Sequence, residues 1–271
     1  MKDFTPHDFA ATWQAYADLR QRDIRTDQDD QAMWNAFAGQ YDSRTGPSEE
    51  LLAMLREFAR PDDTVLDIGA GTGRMTLPVA RFVRRVTALD HAPGMLDILR
   101  GKLTEQAITN VEIVESTWQQ AAVEPHVIVI AIWSLYRQPN ILSALRKLVN
   151  ATRRTLLIAD GDSGLKPPQE MPHADLLAEI WGGRGGIPNY LYFAGMLWQI
   201  GVRADVHVIY EQRCYQGATP ADIAQQLLPA YATPDQHAGF TTGLTPLLNH
   251  NGDSYSYQYT VPMGIVTWTR S

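Results

Sequence analysis

Apolar positions follow two different periods along this chain, and each period predicts a different kind of element. Near the N-terminus, apolar and aromatic residues recur every three or four positions, which predicts helices around 9–16, 34–41 and 48–58. Short apolar runs then alternate with helical patterns and predict strands at 65–68, 85–89, 111–114, 127–132 and 155–159. This alternation predicts an α/β fold with a doubly wound, mostly parallel sheet.

The rest of the chain adds two strands, with insertions after strands 5 and 6. Alternating apolar residues predict a sixth strand at 202–210 and a seventh at 264–269, so the expected sheet has seven strands. We expect four segments: an N-terminal helical lid at 1–60, a ligand-binding core at 61–162, an insertion that caps the substrate at 163–201, and the C-terminal strands 6 and 7 with a helical insertion at 202–271.

The turn after the first strand is the clearest candidate for ligand binding. Its sequence is Asp67-Ile68-Gly69-Ala70-Gly71-Thr72-Gly73, followed by a helical pattern. Glycine has no Cβ, so a ligand can approach the backbone closely, and the N-terminal N–H groups of the helix point at it. A dinucleotide fingerprint, G-x-G-x-x-G, would need its third glycine where Arg74 stands. The spacing therefore disfavours a dinucleotide.

This G-x-G-x-G spacing after an acid resembles motif I of the class I S-adenosylmethionine (SAM) dependent methyltransferases. In that family the turn packs against the amino-acid end of SAM. The resemblance implies a Rossmann-like methyltransferase fold, SAM as the cofactor and S-adenosylhomocysteine (SAH) as its product. It also implies cofactor contacts from Asp67, Gly69, Ala70, Gly71 and Gly73.

The end of the second strand extends the resemblance. Asp90 can accept hydrogen bonds from two vicinal ribose hydroxyls. The segment from Asp90 to Leu96 is similar to the family's D-x-S-x-x-M-L, which implies cofactor contacts from His91 and from Met95, the latter on the adenine ring. Singly, Asp90 could be only a helix-capping acid and Met95 only a core residue.

The ends of the third and fourth strands match the family less well. Thr117 stands where relatives carry an acid that binds the adenine amine, and Trp118 could either stack on the purine or cap the edge of the sheet. The fourth strand brings Ala131 to the cofactor and ends beside Trp133. No Asn-Pro-Pro-Tyr or Asp-Pro-Pro-Tyr follows it, which argues against amino methylation of nucleobases or glutamine.

Candidate substrate contacts follow from position alone. Trp133, Tyr136 and Arg137 come at the carboxyl end of a central strand, where ligands bind in open α/β sheets. The segment from Trp34 to Asp42 resembles the W-x-x-x-A-x-x-Y-D of many small-molecule methyltransferases, whose N-terminal helices cover SAM. That resemblance implies a cofactor contact from Tyr41, and we expect substrate contacts from Tyr16 and Trp34, although aromatic stripes most often serve core packing.

No catalytic base can be assigned from the sequence. The methyl group of SAM is already activated, so the protein mainly aligns the acceptor and excludes water. Tyr136 and His173 are weak candidates for a base, and His7, Tyr16 and Tyr192 are weaker still. Asp160 and Asp162 could hold a metal with His173, but Asp-Gly-Asp is also an ordinary turn, so we expect no metal site.

Charge and composition limit the classes of partner that this chain is expected to bind. The net charge of −7 argues against a nucleic-acid partner, because phosphate binding needs clustered Lys and Arg. The single cysteine, Cys214, allows no internal disulfide, and the longest apolar run, 127–133, is too short to cross a bilayer. We expect a cytoplasmic monomer or homodimer that does not bind membranes.

The prediction is therefore a SAM-dependent methyltransferase acting on a small molecule, with an acceptor atom (O, N, C or S) that the sequence does not identify. Three alternatives stay open. A non-catalytic SAM-binding scaffold is kept open because Thr117 and Val127 stand at positions where the family commonly carries acids. A nicotinamide-dependent oxidoreductase is disfavoured by the glycine spacing. An RNA methyltransferase is disfavoured by the acidic balance.

Overall fold

A computed structural model of the chain describes residues 7–20, 27–44, 46, 48–136, 138, 140–161, 173, 175–177, 189–228 and 232–270. Three helices precede the sheet: α1 (Phe9–Arg20), α2 (Asp27–Arg44) and α3 (Glu49–Phe58). The start of α3 follows from its sequence, because the Ser48 side chain accepts a hydrogen bond from the Leu51 N–H at 3.4 Å. Leu51, Leu52 and Leu55 form its buried face.

Within the described residues, one sheet contains eight strands. They are β1 (Thr64–Ile68), β2 (Arg85–Asp90), β3 (Val111–Glu115), β4 (His126–Ile132), β5 (Thr152–Gly161), β6 (Asp205–Gly217), β7 (Asn249–His250) and β8 (Tyr255–Thr269). The order is β3-β2-β1-β4-β5-β8-β6, with β7 paired to β8. The pairings among β1 to β5 are all parallel. The doubly wound, mostly parallel fold is confirmed, but β7 was not expected, because a two-residue strand shows no periodicity.

The register brings the carboxyl ends of the strands to one edge. Ile68 at the end of β1 pairs with Leu89 in β2 and with Ala131 in β4. Ile132 at the end of β4 pairs with Ala159 in β5. The residues that follow these strands therefore lie side by side, which is where open α/β sheets bind ligands.

Helices connect the strands. They are α4 (Thr76–Ala80), α5 (Pro93–Glu105), α6 (Ile141–Ala151) and α7 (Asn189–Gln199), and two more, α8 (Pro220–Leu227) and α9 (Pro234–Leu244), lie between β6 and β7. The expected capping box at the start of α8 is present, because the Thr219 side chain and the Asp222 side chain each accept the other residue's backbone N–H. None of the helices within the described ranges is long and apolar enough to cross a bilayer.

The chain divides into two compact units. The first contains Met1–Asp160, Asn189–Ile209 and Gly264–Ser271, and the second contains Gly161–Pro188 and Tyr210–Met263. The second unit has an apolar core of its own, formed by Leu177, Ile223, Ala224, Leu228, Phe240, Leu244 and Tyr257. The helix α7, which the sequence assigned to the insertion at 163–201, belongs to the first unit.

Candidate functional site

A cavity lies at the glycine turn, where the sequence predicted a ligand. It measures about 250 Å³, part of which is open solvent. Its walls come from α2, from the end of β1 with the glycine turn, and from the end of β4, through Tyr41, Asp67, Gly69, Ala70, Arg74, Met75 and Ile132. Four predicted cofactor residues therefore share one cavity: Tyr41, Asp67, Gly69 and Ala70.

Two residues of opposite charge, Asp67 and Arg74, are among those that line this cavity. Asp67 is buried, and its Oδ2 accepts a hydrogen bond from the Thr76 hydroxyl at 2.6 Å. The pKa of Asp67 is raised to about 6, chiefly by burial and to a smaller extent by the nearby Asp90 carboxylate, while the Thr76 hydrogen bond and Arg74 act in the opposite direction. Sequence reasoning treated Arg74 only as a break in a glycine fingerprint and so missed it as a wall of the cavity.

The three glycines of the turn all have positive φ, but they serve different purposes. A Cβ on Gly69, at φ +74°, would stand 2.3 Å from the Ser134 Cβ in the segment after β4. A Cβ on Gly73 would stand 2.5 Å from a Leu99 methyl of α5. Gly71, at φ +56°, has no atom within 4 Å of the same position. Gly69 and Gly73 thus permit close packing of the turn on its neighbours. At Gly71 the space that a Cβ would occupy is empty.

Replacing Gly69 with alanine is expected to destabilise the protein by about 2–5 kcal/mol, from the left-handed backbone and the overlap with Ser134. The matched control is Gly101→Ala in α5, where the helical backbone is ordinary and the added Cβ meets nothing within 4 Å. The free energy of unfolding of that variant should rise by about 1 kcal/mol. Urea unfolding measures both variants, and equal stabilities would contradict the described turn.

Asp90 holds the turn in place from the end of β2. Its Oδ2 accepts the Gly71 N–H at 2.8 Å, and its Oδ1 accepts the Ala92 N–H at 2.9 Å. A carboxylate has about four lone-pair sites, so two further hydrogen bonds from a ligand remain possible. The ribose contact itself stays a prediction.

Helix α2 is anchored over the turn between β2 and α5. The Asp30 Oδ2 lies 3.2 Å from the His91 Nε2, and the Gly94 N–H donates to the Asn35 side chain at 2.8 Å. His91, predicted to contact the cofactor, therefore contacts α2 on one side. Its Nδ1 lies 3.6 Å from the Asp90 Oδ1.

The C-terminal end of α2 is bonded to the glycine turn. The buried Thr72 hydroxyl donates to Asp42 at 2.7 Å, and the Lys102 ammonium lies 2.6 Å from the other Asp42 oxygen. Lys102 also donates to the Thr72 carbonyl at 2.9 Å. The sequence marked Asp42 only as part of a resemblance. The structure shows that it links α2, the turn and α5.

An apolar cluster fills the space beneath α2. Met95 and Ala38 are buried in it, and Trp34 and Tyr41 pack against it. The Trp34 and Tyr41 rings meet edge to face, with centroids 6.1 Å apart. Met95 is thus already buried by other side chains of the protein. An adenine ring that contacted Met95 would have to pack beside those side chains. Ala131 is buried within β4, and the next residue, Ile132, lines the cavity instead.

Trp118, predicted to contact the cofactor, is not among the residues that line the cavity, and its cofactor contact stays a prediction. Trp118 is 3% exposed, its indole N–H donates to the Ala144 carbonyl of α6 at 3.2 Å, and the Lys147 ammonium lies 4.4 Å from the ring centroid. It packs against α6, which neither interpretation of the sequence proposed. Thr117 is half-buried, and its hydroxyl lies 3.4 Å from the Gln120 N–H that it caps.

The segment after β4 is closely packed on the glycine turn. Trp133 has φ +54°, a left-handed conformation that is rare for a bulky residue, and its N–H donates to the Ala159 carbonyl at 2.8 Å. Trp133 and Tyr136 are half-buried. Their substrate contacts stay predictions, and Arg137 lies outside the described residues.

His173, a candidate base, is surrounded by aromatic side chains. It belongs to the second unit, is fully buried, and places its Nδ1 2.7 Å from the Tyr257 hydroxyl. Burial lowers its pKa to about 4. The rings of Phe240, Tyr257 and Tyr259 surround it. His173 is not among the residues that line the cavity at the glycine turn, and its role as a base stays a prediction.

The remaining candidates lie away from the walls of the cavity. His7 and Tyr192 pack edge to face, with centroids 6.3 Å apart, and Tyr16 is half-buried on α1. The Asp160 carboxylate accepts a hydrogen bond from the Asn189 side chain at 3.2 Å, while Asp162 lies outside the described residues. Where the structure describes side chains, no three of His, Cys, Asp or Glu are grouped to hold a metal.

Comparison with known proteins identifies a domain within the chain and relatives that are similar to part of it. Residues 65–155 match the family model described as a methyltransferase domain. The chain is similar to the malonyl-[acyl-carrier protein] O-methyltransferase of Serratia marcescens, with 42% identity over 26% of this chain and 29% of that protein. It is also similar to the ribosomal RNA small subunit methyltransferase A of Desulforapulum autotrophicum, with 29% identity over 26% of this chain and 25% of the relative. The chain spans less than two thirds of the curated relatives it matches.

A solved structure supports the fold. The phosphoethanolamine N-methyltransferase 2 of Haemonchus contortus, in complex with phosphomonomethylethanolamine and SAH, superposes with a TM-score of 0.55. The identity is 15%, over 95% of this chain and 60% of that one. At this identity the likeness establishes the Rossmann-like fold alone.

Proposed function

We propose that this protein, whose residues 65–155 match the family model of a methyltransferase domain, is a class I SAM-dependent enzyme that transfers a methyl group from SAM to a small molecule. The observation that carries the proposal is the cavity at the glycine turn, whose lining residues include Asp67 and Arg74. The small-molecule acceptor is part of the proposal, because the matched relatives are named for different acceptors.

The residues around the cavity suit the amino-acid end of SAM, which carries one ammonium and one carboxylate. The Asp67 carboxylate is a partner for the ammonium, and the Arg74 guanidinium is a partner for the carboxylate. The glycine turn lets a ligand approach the backbone without meeting a Cβ. Asp90 retains hydrogen-bonding capacity for the ribose hydroxyls. The donor set fits the group.

SAM supplies an activated methyl group when bound, so the chain's own residues mainly have to position the acceptor and exclude water. Helix α2 supports the second task, because Asp30, Asn35 and Asp42 fasten it to the turns on both sides of Asp90. Tyr41 extends this cover into the wall of the cavity.

A small acceptor is supported by the charge of the chain. The net charge of −7 opposes binding to a phosphate backbone. The Desulforapulum relative is named for ribosomal RNA and the Serratia relative for an acyl-carrier protein, and each is matched over less than 30% of its length. Neither acceptor carries over to this chain from such short matches.

The test is SAH formation with a panel of small amines, phenols, alcohols, thiols and carboxylic acids, run beside a ribosomal RNA transcript. We expect SAH to form with at least one small compound and not with RNA. Methylation of RNA alone would contradict the small-molecule proposal. SAM binding without turnover of any acceptor would favour a scaffold.

A further inference from the structure

Two buried side-chain atoms near the carboxyl ends of β4 and β5 have no hydrogen-bond partner among the described residues. They are Ser134 Oγ, just after β4, and Asn189 Oδ1, at the first residue of α7. Leaving such an atom unsatisfied costs about 1–3 kcal/mol, and native proteins rarely tolerate it. A ligand that supplies the missing hydrogen bonds would recover this cost.

A continuous series of contacts joins these two atoms to the glycine turn. Ser134 lies directly against Gly69, since its Cβ is 2.3 Å from the position of an added Gly69 Cβ. The preceding residue, Trp133, donates its N–H to Ala159 in β5 at 2.8 Å. The next residue of β5, Asp160, accepts from the Asn189 Nδ2 at 3.2 Å. All of these residues belong to the first unit.

The backbone at this edge is also strained. Trp133 adopts φ +54°, although a tryptophan gains nothing from the left-handed region. Strain of this kind costs about 1–3 kcal/mol and clusters at binding sites, where the surrounding structure enforces it. Unsatisfied polar atoms and backbone strain thus coincide at the carboxyl ends of β4 and β5.

We propose that Ser134, Asp160 and Asn189 form the polar subsite for the methyl acceptor, and that the acceptor carries a hydroxyl or amino group. This inference rests on the proposed function and refines it. The amide oxygen of Asn189 can only accept a hydrogen bond, and a carboxylate such as Asp160 is an acceptor as well. The group held between them must therefore donate.

The same chemistry disfavours acceptors that are carboxylates. A carboxylate ligand would bring its negative charge to Asp160 and offer no proton to the Asn189 oxygen. The Ser134 hydroxyl can donate or accept, so it suits an alcohol, a phenol or an amine. We therefore expect this enzyme to methylate alcohols, phenols or amines and not carboxyl groups.

Two variants test the subsite, beside one control. Ser134→Ala removes only the unsatisfied hydroxyl, and Asn189→Leu removes the amide at similar size. Trp13→Phe is the control, because Trp13 Nε1 is likewise buried without a partner in the described part of the chain, but packs on Phe193 and not at the cavity. Each variant is assayed by SAH formation with the panel of small acceptors and by melting with and without SAM.

We expect wild type to methylate an amine, phenol or alcohol, and both site variants to lose at least tenfold in kcat/KM for it. The SAM-induced melting shift should persist in all three variants, and Trp13→Phe should keep the wild-type rate. Ser134→Ala should melt no lower than wild type, because no bond is lost.

Three assay results would overturn the inference. The first is turnover of carboxylic acids, thiols or carbon acids alone, and the second is no product with any alcohol, phenol or amine although SAM binds. The third is a wild-type rate in both site variants. A marked loss of stability in Ser134→Ala would also overturn it, by showing that the hydroxyl is bonded within the protein. Absence of any SAM-induced shift in wild type would instead contradict the proposed function.

Discussion

Asp90→Ala should weaken SAM binding by about 100-fold, because two hydrogen bonds to a charged group are together worth roughly 3 kcal/mol. The sheet should remain folded. The variant also releases the Gly71 and Ala92 N–H groups that Asp90 now holds, so the glycine turn loses its anchor together with the predicted ribose contact. Isothermal titration with SAM and SAH measures the affinity, and circular dichroism measures the fold.

Asp90→Asn is the matched control for this prediction. It keeps the size of the side chain and one oxygen, but replaces the other oxygen with a donor, so only one of the two backbone N–H groups keeps its acceptor. Its affinity should lie between those of wild type and Asp90→Ala. A folded Asp90→Ala protein with unchanged SAM affinity would remove Asp90 from the proposed site.

Asp67→Asn should make the protein more stable and less able to bind SAM. Burial raises the pKa of Asp67 from 3.8 to about 6, so the folded state binds the proton more tightly than the unfolded state. The contribution of Asp67 to stability is therefore full below about pH 4 and is lost as the pH rises through 6. At pH 8 the ionised carboxylate costs about 3 kcal/mol relative to a neutral group.

Asparagine avoids this cost and can still accept the Thr76 hydroxyl. At pH 8 we expect Asp67→Asn to melt roughly 5–10 °C above wild type, and near pH 4 the two should melt together. SAM affinity should fall, because the variant loses the negative charge proposed to bind the ammonium of SAM. Equal melting temperatures at both pH values would show that Asp67 carries no buried charge.

Much of the fold could be predicted from the sequence because its signals are local. Buried parallel strands appear as short apolar runs, and the capping box at Thr219 fixes the start of α8 within four residues. The glycine turn was equally readable, because its three glycines have positive φ that other residues rarely adopt.

The side chains that complete the site could not be predicted, because they depend on which elements meet. Nothing near Trp118 in the sequence indicates that α6 covers it, through Ala144 and Lys147. The burial of His173 depends on Tyr257, 84 positions further along the chain. Arg74 was visible in the motif, but only the folded turn brings it to the same cavity as Asp67.

The most direct test of the central claim is thermal unfolding of the protein with SAM, SAH, NAD and NADP in turn. A ligand at 100 times its dissociation constant adds about 2.7 kcal/mol to stability, which for a chain of this size raises the melting temperature by roughly 5–10 °C. We predict that shift with SAM and SAH and none with the nicotinamide cofactors. No shift with millimolar SAM, or a shift with NAD or NADP instead, would contradict the claim that this glycine turn binds SAM.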